Sequence, residues 1–537
     1  MPHITKVYGP PGTGKTTYLI SRVQDEITDG VAPHEIIYTS FTRAAANEAR
    51  DRALAKFKTY IKEDFPYFST IHSICFRLLD MKKGMIFTGQ QIRDFCDAFG
   101  YQLSSANHEM VTEDLDQDIP QMVLSTDADY YEHFIGWMRN LMMQFSDAYK
   151  LFSMMPGVPE SFQEAGLRLY IKRRNEYKKD KSLFDFTDLI ELCINLELWP
   201  TQTKVMINDE QQDVSPLLAK LLDMWGSHME RVYLGGDPYQ AVYTFMGAEP
   251  QIFINAKADN ILTLKQSFRC PALIHKMSRK IVGKFEKRYP DDDFIPTGDE
   301  GTLSSCFPEH IDWVNLKGKI FYLHRTHWLI SKAYDQMVSE GVPFRTNKGR
   351  QSPLQTPAAR AVATMFNLME LKTVTLKELS RVMDYIPTKG PKNELYLNQG
   401  VKAETARQAH ENPSKSVNYR DLPQLGFTPN FIKYMKPDAI FNPFKISQDE
   451  KNYLRLMVGK YGNRALTDEP RVLLSTIHAV KGKECDTVLL NLAMTHRTYD
   501  SLMANPDVEH RLYYVGVTRS KNSLVFIPGD DYESYTV

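Results

Sequence analysis

A chain of 537 residues with 42% hydrophobic and 24% charged side chains is too long for one core and predicts about three or four domains of ordinary globular composition. Its 65 Lys and Arg balance 66 Asp and Glu to a net charge of −1. That excludes a protein that coats a polyanion through global charge and leaves room for one basic groove. No apolar run approaches the ~18 residues of a membrane span, and the start, Met1-Pro2-His3-Ile4, lacks the layout of a secretory signal. The six cysteines are scattered with no C-x-x-C pair, which argues against zinc, iron–sulfur and disulfide frameworks. A cytoplasmic protein with reduced thiols and no membrane partner is expected.

Short runs apolar on both faces recur at 4–8, 36–39, 205–208, 232–234, 320–323, 472–475 and 487–490, most followed by a polar turn and a helical pattern. Such runs suit parallel strands covered by helices, so the fold class is α/β. One group of strands lies ahead of Arg269 and another after it, as two sheet domains would give. Residues 80–182 read as mostly helical, with an acidic patch (Glu113, Asp114, Asp116, Asp118) and a basic run, Lys172-Arg173-Arg174 to Lys181. Residues 373–446 read as an irregular inserted module, in which Lys389, Lys392, Lys402 and Lys415 accompany Tyr385, Tyr396 and Tyr419. That mixture suits phosphate and sugar contacts, and equally a solvated lysine-bearing surface.

The first run leads into Gly9-Pro10-Pro11-Gly12-Thr13-Gly14-Lys15-Thr16 and then an apolar helix, the full G-x-x-x-x-G-K-T phosphate loop in its required context. Glycines let backbone N–H groups close around phosphates, and the helix N-terminus adds a favourable dipole. Lys15 is expected at the β- and γ-phosphates and Thr16 on Mg²⁺. The 205–208 run ends in Asp209-Glu210-Gln211-Gln212-Asp213, carrying two carboxylates to the sheet edge where the phosphate loop lies. Asp209 is expected to hold the metal and Glu210 to deprotonate water. Taken alone, acidic residues at a strand end are as well explained as solvated turns; paired with the phosphate loop they favour hydrolysis of ATP. The 232–234 run enters Gly235-Gly236-Asp237-Pro238-Tyr239-Gln240-Ala241-Val242-Tyr243-Thr244-Phe245. Gln240 is placed to sense a γ-phosphate, while Tyr243 and Phe245 are either platforms for bases or core.

These segments, with Ser40-Phe41-Thr42-Arg43, Ser69-Thr70-Ile71-His72-Ser73, Gln266-Ser267-Phe268-Arg269, Thr476-Ile477-His478-Ala479-Val480-Lys481-Gly482-Lys483-Glu484 and Leu512-Tyr513-Tyr514-Val515-Gly516-Val517-Thr518-Arg519, resemble in order the motifs of UvrD-type superfamily 1 helicases. The set spans residues 9 to 519 and is specific as a set.

The resemblance implies two RecA-like ATPase domains with parallel sheets, each carrying an inserted accessory module. The first is expected over 1–79 and 183–270 with a mostly helical insertion at 80–182. The second is expected over 271–372 and 447–537 with a small insertion at 373–446. ATP would bind between the two domains. Gly9, Gly12, Thr13, Gly14, Lys15, Thr16 and Thr17 would cradle it, Phe268 would pack on adenine and Glu484 would approach the ribose. Lys15, Glu210, Gln240, Arg269 and Arg519 would serve hydrolysis, with Arg519 as an arginine finger from the second domain. Phe41, Thr42, His72, Tyr243, Phe245 and His478 match positions that touch single-stranded DNA in the family, the histidines being equally suited to a core.

The wording Gln240-Ala241-Val242-Tyr243 and Lys481-Gly482-Lys483-Glu484 favours 3′→5′ travel. The expected activity is therefore an ATP-dependent helicase or translocase acting on single strands and single-strand/duplex junctions. It would work as a monomer, with replication or repair proteins as possible partners. The alternative is an ATP-gated DNA-binding or protein-displacing subunit with little unwinding. Three departures from the family stand out. No upstream counterpart of its adenine-reading glutamine is expected ahead of Gly9, Met246 stands where the family usually has arginine, and no nuclease or partner-binding tail is expected after Arg519.

Overall fold

The computed structural model describes residues 1–40, 43–104, 124–290, 292–347, 350–529 and 533–537, with Arg43, Ala44 and Lys392 as backbone only. Contacts divide the chain into a first unit, Met1–Thr302 with His496–Asn522 and Val537, and a second, Leu303–Thr495 with Ser523–Thr536.

In the first unit β1 (His3–Tyr8), β2 (Ile36–Thr39), β3 (Phe68–Ser69), β4 (Val205–Asn208), β5 (Arg231–Gly236) and β6 (Asn260–Thr263) form one sheet in the order β3-β2-β4-β5-β1-β6. Every pairing is parallel, with Ile36 opposite Val205, Val205 opposite Arg231 and Arg231 opposite His3. β2 and β4 are buried along their whole length, as strands covered on both faces must be. Because β5 lies between β4 and β1, the loops after all three leave the same carboxyl edge side by side.

The 80–182 segment contributes helices Gln90–Phe99, Asp127–Asn140, Phe145–Ser153 and Glu164–Asp180. They enclose their own aromatic core of Phe87, Phe95, Phe134, Trp137, Phe152, Phe162 and Tyr170. The acidic patch at 113–118 lies outside the described residues. The basic run is not a uniform surface stripe: Arg174 and Lys178 are buried. Arg174 pairs with Glu132 at 2.8 Å and Asp185 at 2.9 Å, and Lys178 pairs with Asp185 at 2.6 Å. Burial would raise the Asp185 carboxyl, but Arg174, Arg139 and Lys178 outweigh it and hold it far below its usual range.

In the second unit β7 (Thr302–Ser305), β8 (Ile320–His324), β9 (Phe344–Thr346), β12 (Val472–Thr476), β13 (Cys485–Asn491) and β14 (Ser520–Ile527) form a sheet ordered β7-β14-β13-β8-β12-β9. β13, β8, β12 and β9 pair in parallel. A separate antiparallel pair joins β10 (Val374–Thr375) to β11 (Ser416–Val417). The division between units crosses β14 after Asn522. Helix Pro506–Val517 packs on helix Ala272–Val282, and both lie in the first unit. The sequence predicts residues 271–302 and 496–522 in the second domain, whereas their contacts place them in the first unit.

The 373–446 segment is built into the second unit's core. Leu376, Leu379, Val382, Tyr396, Phe427, Phe431 and Phe444 belong to the same buried cluster as Ile320, Tyr322, Val472 and Leu474. The segment is therefore not the irregular surface module its composition suggests, and its named tyrosines serve packing. Tyr396 is 1% exposed, Tyr385 and Tyr419 pack against the cluster, and Lys402 donates to the Ile386 carbonyl at 2.6 Å. Burial lowers the Lys402 ammonium below its ordinary pKa. Lys389 and Lys415 remain on the surface.

Candidate nucleotide site and nucleic-acid contacts

The Gly9 N–H donates to Gly236 O at 3.0 Å where β1 leaves the sheet beside β5. Two of the loop's glycines are dictated by space. A Cβ on Gly9 would lie 2.4 Å from Lys15 Cβ, and one on Gly12, at φ +72°, would lie 2.4 Å from Arg269 Cβ. The Thr13 hydroxyl closes the turn onto Pro10 O at 2.7 Å, and Gly14 caps helix Lys15–Thr28 in the left-handed region.

Lys15 is buried, hydrogen-bonded to Asp209 and 2.7 Å from Glu210 Oε1. Burial would lower its ammonium, but Asp209 and then Glu210 outweigh that and hold its pKa above the ordinary value. The Thr16 hydroxyl donates to Asp209 Oδ2 at 2.7 Å. Glu210 adopts φ 62°, a left-handed conformation costly for a residue with a Cβ and one that accumulates at functional sites. That kink ends the run of β4 and turns the carboxylate toward Lys15.

A continuous polar chain leaves Glu210. Gln212 Nε2 donates to Glu210 Oε2 at 2.5 Å, and Gln212 Oε1 accepts the Asp237 N–H at 2.9 Å. Asp237 Oδ2 accepts Gln240 Nε2 at 2.8 Å, and Gln240 Oε1 accepts Arg519 Nη2 at 2.7 Å. Glu210 and Arg519 are thus tied through Gln212, Asp237 and Gln240. Sequence reasoning named Gln240 and missed the other two. For Gln212 the available signal is a run of five carboxylates and amides after the apolar β4, Asp209-Glu210-Gln211-Gln212-Asp213, more than a metal site requires.

Asp237 is fully buried, and burial pushes its carboxyl up to about 6. Its ionised form accepts the N–H groups of Gln240 and Tyr239. Turnover should therefore fall with slope one as pH drops below about 6. Asp237→Asn, which cannot ionise, should show low turnover with no such limb. The stability sign is opposite. A folded-state pKa above the unfolded ~3.9 means that ionisation opposes folding, increasingly as pH rises from about 4 to about 6. A kcat–pH profile of both proteins tests this; an acid limb surviving in the variant refutes it.

The oxygens of Thr16 and Asp209 fit a hard divalent cation. Among the described residues no group of three or more His, Cys, Asp or Glu is arranged to hold a metal by itself. A hydroxyl and one carboxylate suit Mg²⁺ shared with nucleotide phosphates. The segment 266–269 is pinned to the same loop: Ser267 Oγ donates to Pro11 O and the Phe268 N–H to Gly12 O, both at 2.8 Å. The Phe268 ring is 75% exposed, an aromatic face beside the phosphate loop and available to a base. Arg269 lies against Gly12, and Thr17 occupies the first turn of helix Lys15–Thr28.

Of the expected DNA contacts, Phe41 and Thr42 lie outside the described residues. Tyr243 and Phe245 are half-buried with ring centroids 6.3 Å apart, one turn beyond Gln240. Phe245 also lies nearly parallel to His133, at 6.4 Å, on helix Asp127–Asn140. No motif marks His133. His72 sets its edge on Phe186 at 5.5 Å, and burial drives its imidazole down to about 4. It is neutral near pH 7, a hydrogen-bonding or stacking group rather than a phosphate-binding cation. His478 and Glu484 belong to the second unit, between β12 and β13.

The profile described as the UvrD/REP helicase N-terminal domain matches residues 3–260, and the UvrD-like helicase C-terminal domain matches 443–529. The chain is 21% identical to the putative ATP-dependent DNA helicase YjcD of Bacillus subtilis, over 97% of this chain and 77% of that protein. It is 24% identical to a probable DNA helicase II homolog of Mycoplasma pneumoniae, over 64% of this chain and 49% of the relative. It is also 24% identical to the ATP-dependent DNA helicase PcrA of Staphylococcus aureus, over 52% and 38%. The chain thus spans half or less of the last two relatives' length. Among the described residues no helix is long and apolar enough to cross a membrane. With both of its domain profiles matched in order and the phosphate loop, carboxylate pair and Gln240–Arg519 contact assembled around one sheet edge, the chain belongs to the UvrD/Rep/PcrA-type family of superfamily 1 ATP-hydrolysing DNA helicases.

Proposed function

We propose that this chain is an ATPase stimulated by single-stranded DNA that steps 3′→5′ along one strand and separates the duplex at a single-strand/duplex junction. The observation that carries the reading is the hydrogen-bonded path from Glu210 through Gln212, Asp237 and Gln240 to Arg519. Simple nucleotide binding needs no such path. It ties the water-activating carboxylate to a cation for the leaving phosphate, and Tyr243 and Phe245 follow Gln240 in the same loop.

In this reading Lys15 exchanges its carboxylate partners for the β- and γ-phosphates. Thr16 and Asp209 hold Mg²⁺, which when bound neutralises charge on the phosphate oxygens. Glu210, oriented by Gln212, takes the proton of the attacking water. Gln240, Arg269 and Arg519 meet the γ-phosphate as its charge develops. Phe268 stacks on adenine and Glu484 reads the ribose. His72, Tyr243, Phe245 and His478, with Phe41 and Thr42, hold single-stranded DNA without sequence preference. Residues 80–182 and 373–446 are insertions in the first and second ATPase domains, and the protein works as a cytoplasmic monomer.

The test is unwinding of 3′-tailed, 5′-tailed and blunt duplexes with ATP and Mg²⁺. The 3′-tailed substrate should be opened and the others left intact. Strict preference for a 5′ tail would overturn the polarity, and DNA-stimulated ATPase with no strand separation would reduce the activity to translocation.

A further inference from the structure

In the second unit β8 and β12 lie side by side and parallel, with His324 opposite Thr476. Both strands therefore release their loops at the same carboxyl edge, where open α/β sheets bind ligands. The Ile477 N–H donates to His324 O at 3.0 Å, tying the loop after β8 to the loop that carries His478.

The loop after β8 runs at once into helix His327–Ser339, capped by the Thr326 hydroxyl on the Leu329 N–H. That helix buries Leu329, Ala333, Tyr334 and Met337. Trp328 precedes Leu329 and so points about 100° round the helix from that face, leaving it 59% exposed. Lys332, one turn on, holds its ammonium 4.8 Å from the indole centroid. The other tryptophans are spent on packing: Trp137, Trp225 and Trp313 are buried, and Trp199 stacks on His228 at 4.3 Å.

Basic side chains are supplied by both loops and by the helix: Arg325 and Lys332 on one side, Lys481 and Lys483 on the loop that carries His478. Burial lowers the His478 imidazole well below its ordinary value, and the nearby charges of Arg325, His327 and Lys481 lower it further. A lone exposed apolar side chain needs no explanation. An exposed indole with an ammonium on its ring, among basic side chains at the carboxyl edge of a parallel sheet, matches the two chemical demands of a flexible single strand: a flat face for a base and cations for phosphates.

We propose that Trp328 is a base-stacking platform for single-stranded DNA, with Lys332 and Arg325 receiving the flanking phosphates. The inference rests on the DNA-binding part of the function proposed above and adds a contact that no motif supplies.

Oligothymidine titrations followed by anisotropy and by intrinsic tryptophan fluorescence test it. Trp328→Ala should weaken binding about fivefold to a hundredfold, the loss of one stacked base. Trp328→Phe should bind within about threefold of wild type, because a phenyl ring still stacks, yet lose most of the DNA-induced fluorescence quenching. Lys332→Gln should reduce the slope of log Kd against log salt by about 0.7, one phosphate contact on a single strand. Trp328→Ala binding as wild type, or Trp328→Phe keeping the full quench, would overturn the platform while leaving the proposed function standing. Failure of the wild-type protein to bind oligothymidine would remove both.

Discussion

Lys15→Ala should lower kcat for ATP by about 10³ or more while oligothymidine binding stays near the wild-type level. The lysine is buried in the phosphate loop and bonded to both Asp209 and Glu210. No neighbour can take over a cation held at that point by β1 and the first turn of a helix. The proposed DNA contacts, His72, Tyr243 and Phe245, come from other elements and do not use Lys15. A second readout follows from the ion pairs. Removing one partner of a buried pair leaves carboxylates without their cation, at a cost of about 3–5 kcal/mol, so the nucleotide-free variant should melt at a lower temperature than wild type. Added Mg²⁺ should recover part of that loss through Asp209 and Thr16. Turnover within tenfold of wild type would remove the site assignment.

The parts of this site legible in the sequence are those whose chemistry is local. The phosphate loop, the Asp209-Glu210 pair and the apolar runs at 36–39 and 205–208 each declare themselves within ten residues. The last two match β2 and β4 residue for residue. The edge strand β6 is not legible because it exposes Asn260, Ile261 and Leu262, so its composition carries no clean signal. The Gln240–Arg519 bond joins residues 279 apart, a separation no local pattern encodes. Arg519 could be named only through its motif, and its position in the first unit only from coordinates. The 373–446 segment misled for a different reason. Pro, Asn and Lys punctuate it so densely that it reads as surface, yet Leu376, Leu379, Tyr396 and Phe431 between them are fully buried. Helices there are short, and burial is carried by isolated large residues rather than by a continuous periodic stripe.

Arg519→Ala should reduce kcat by about 10³ or more, with ATP affinity changed less than tenfold. The guanidinium is 1% exposed and donates to Gln240 Oε1 at 2.7 Å, Val515 O at 3.0 Å and the Thr518 hydroxyl at 3.2 Å. Burial, with the charge of Arg269 close by, lowers its pKa to about 9, so it remains a cation at neutral pH but a poorly solvated one. Such a charge gains most from an anion that forms during the reaction, which places its contribution in the transition state rather than in ground-state binding. Arg519→Lys should not restore turnover, since one ammonium cannot hold Gln240, Val515 and Thr518 in the planar fork and still face a phosphate. Gln240→Ala should slow hydrolysis too. Because Gln240 and Arg519 are bonded partners of one chain, the double variant should lose less than the sum of the two single losses in ΔΔG‡. Strict additivity would mean that the two act separately. Loss of ATP binding with kcat preserved would make Arg519 a ground-state ligand and end its assignment as the finger.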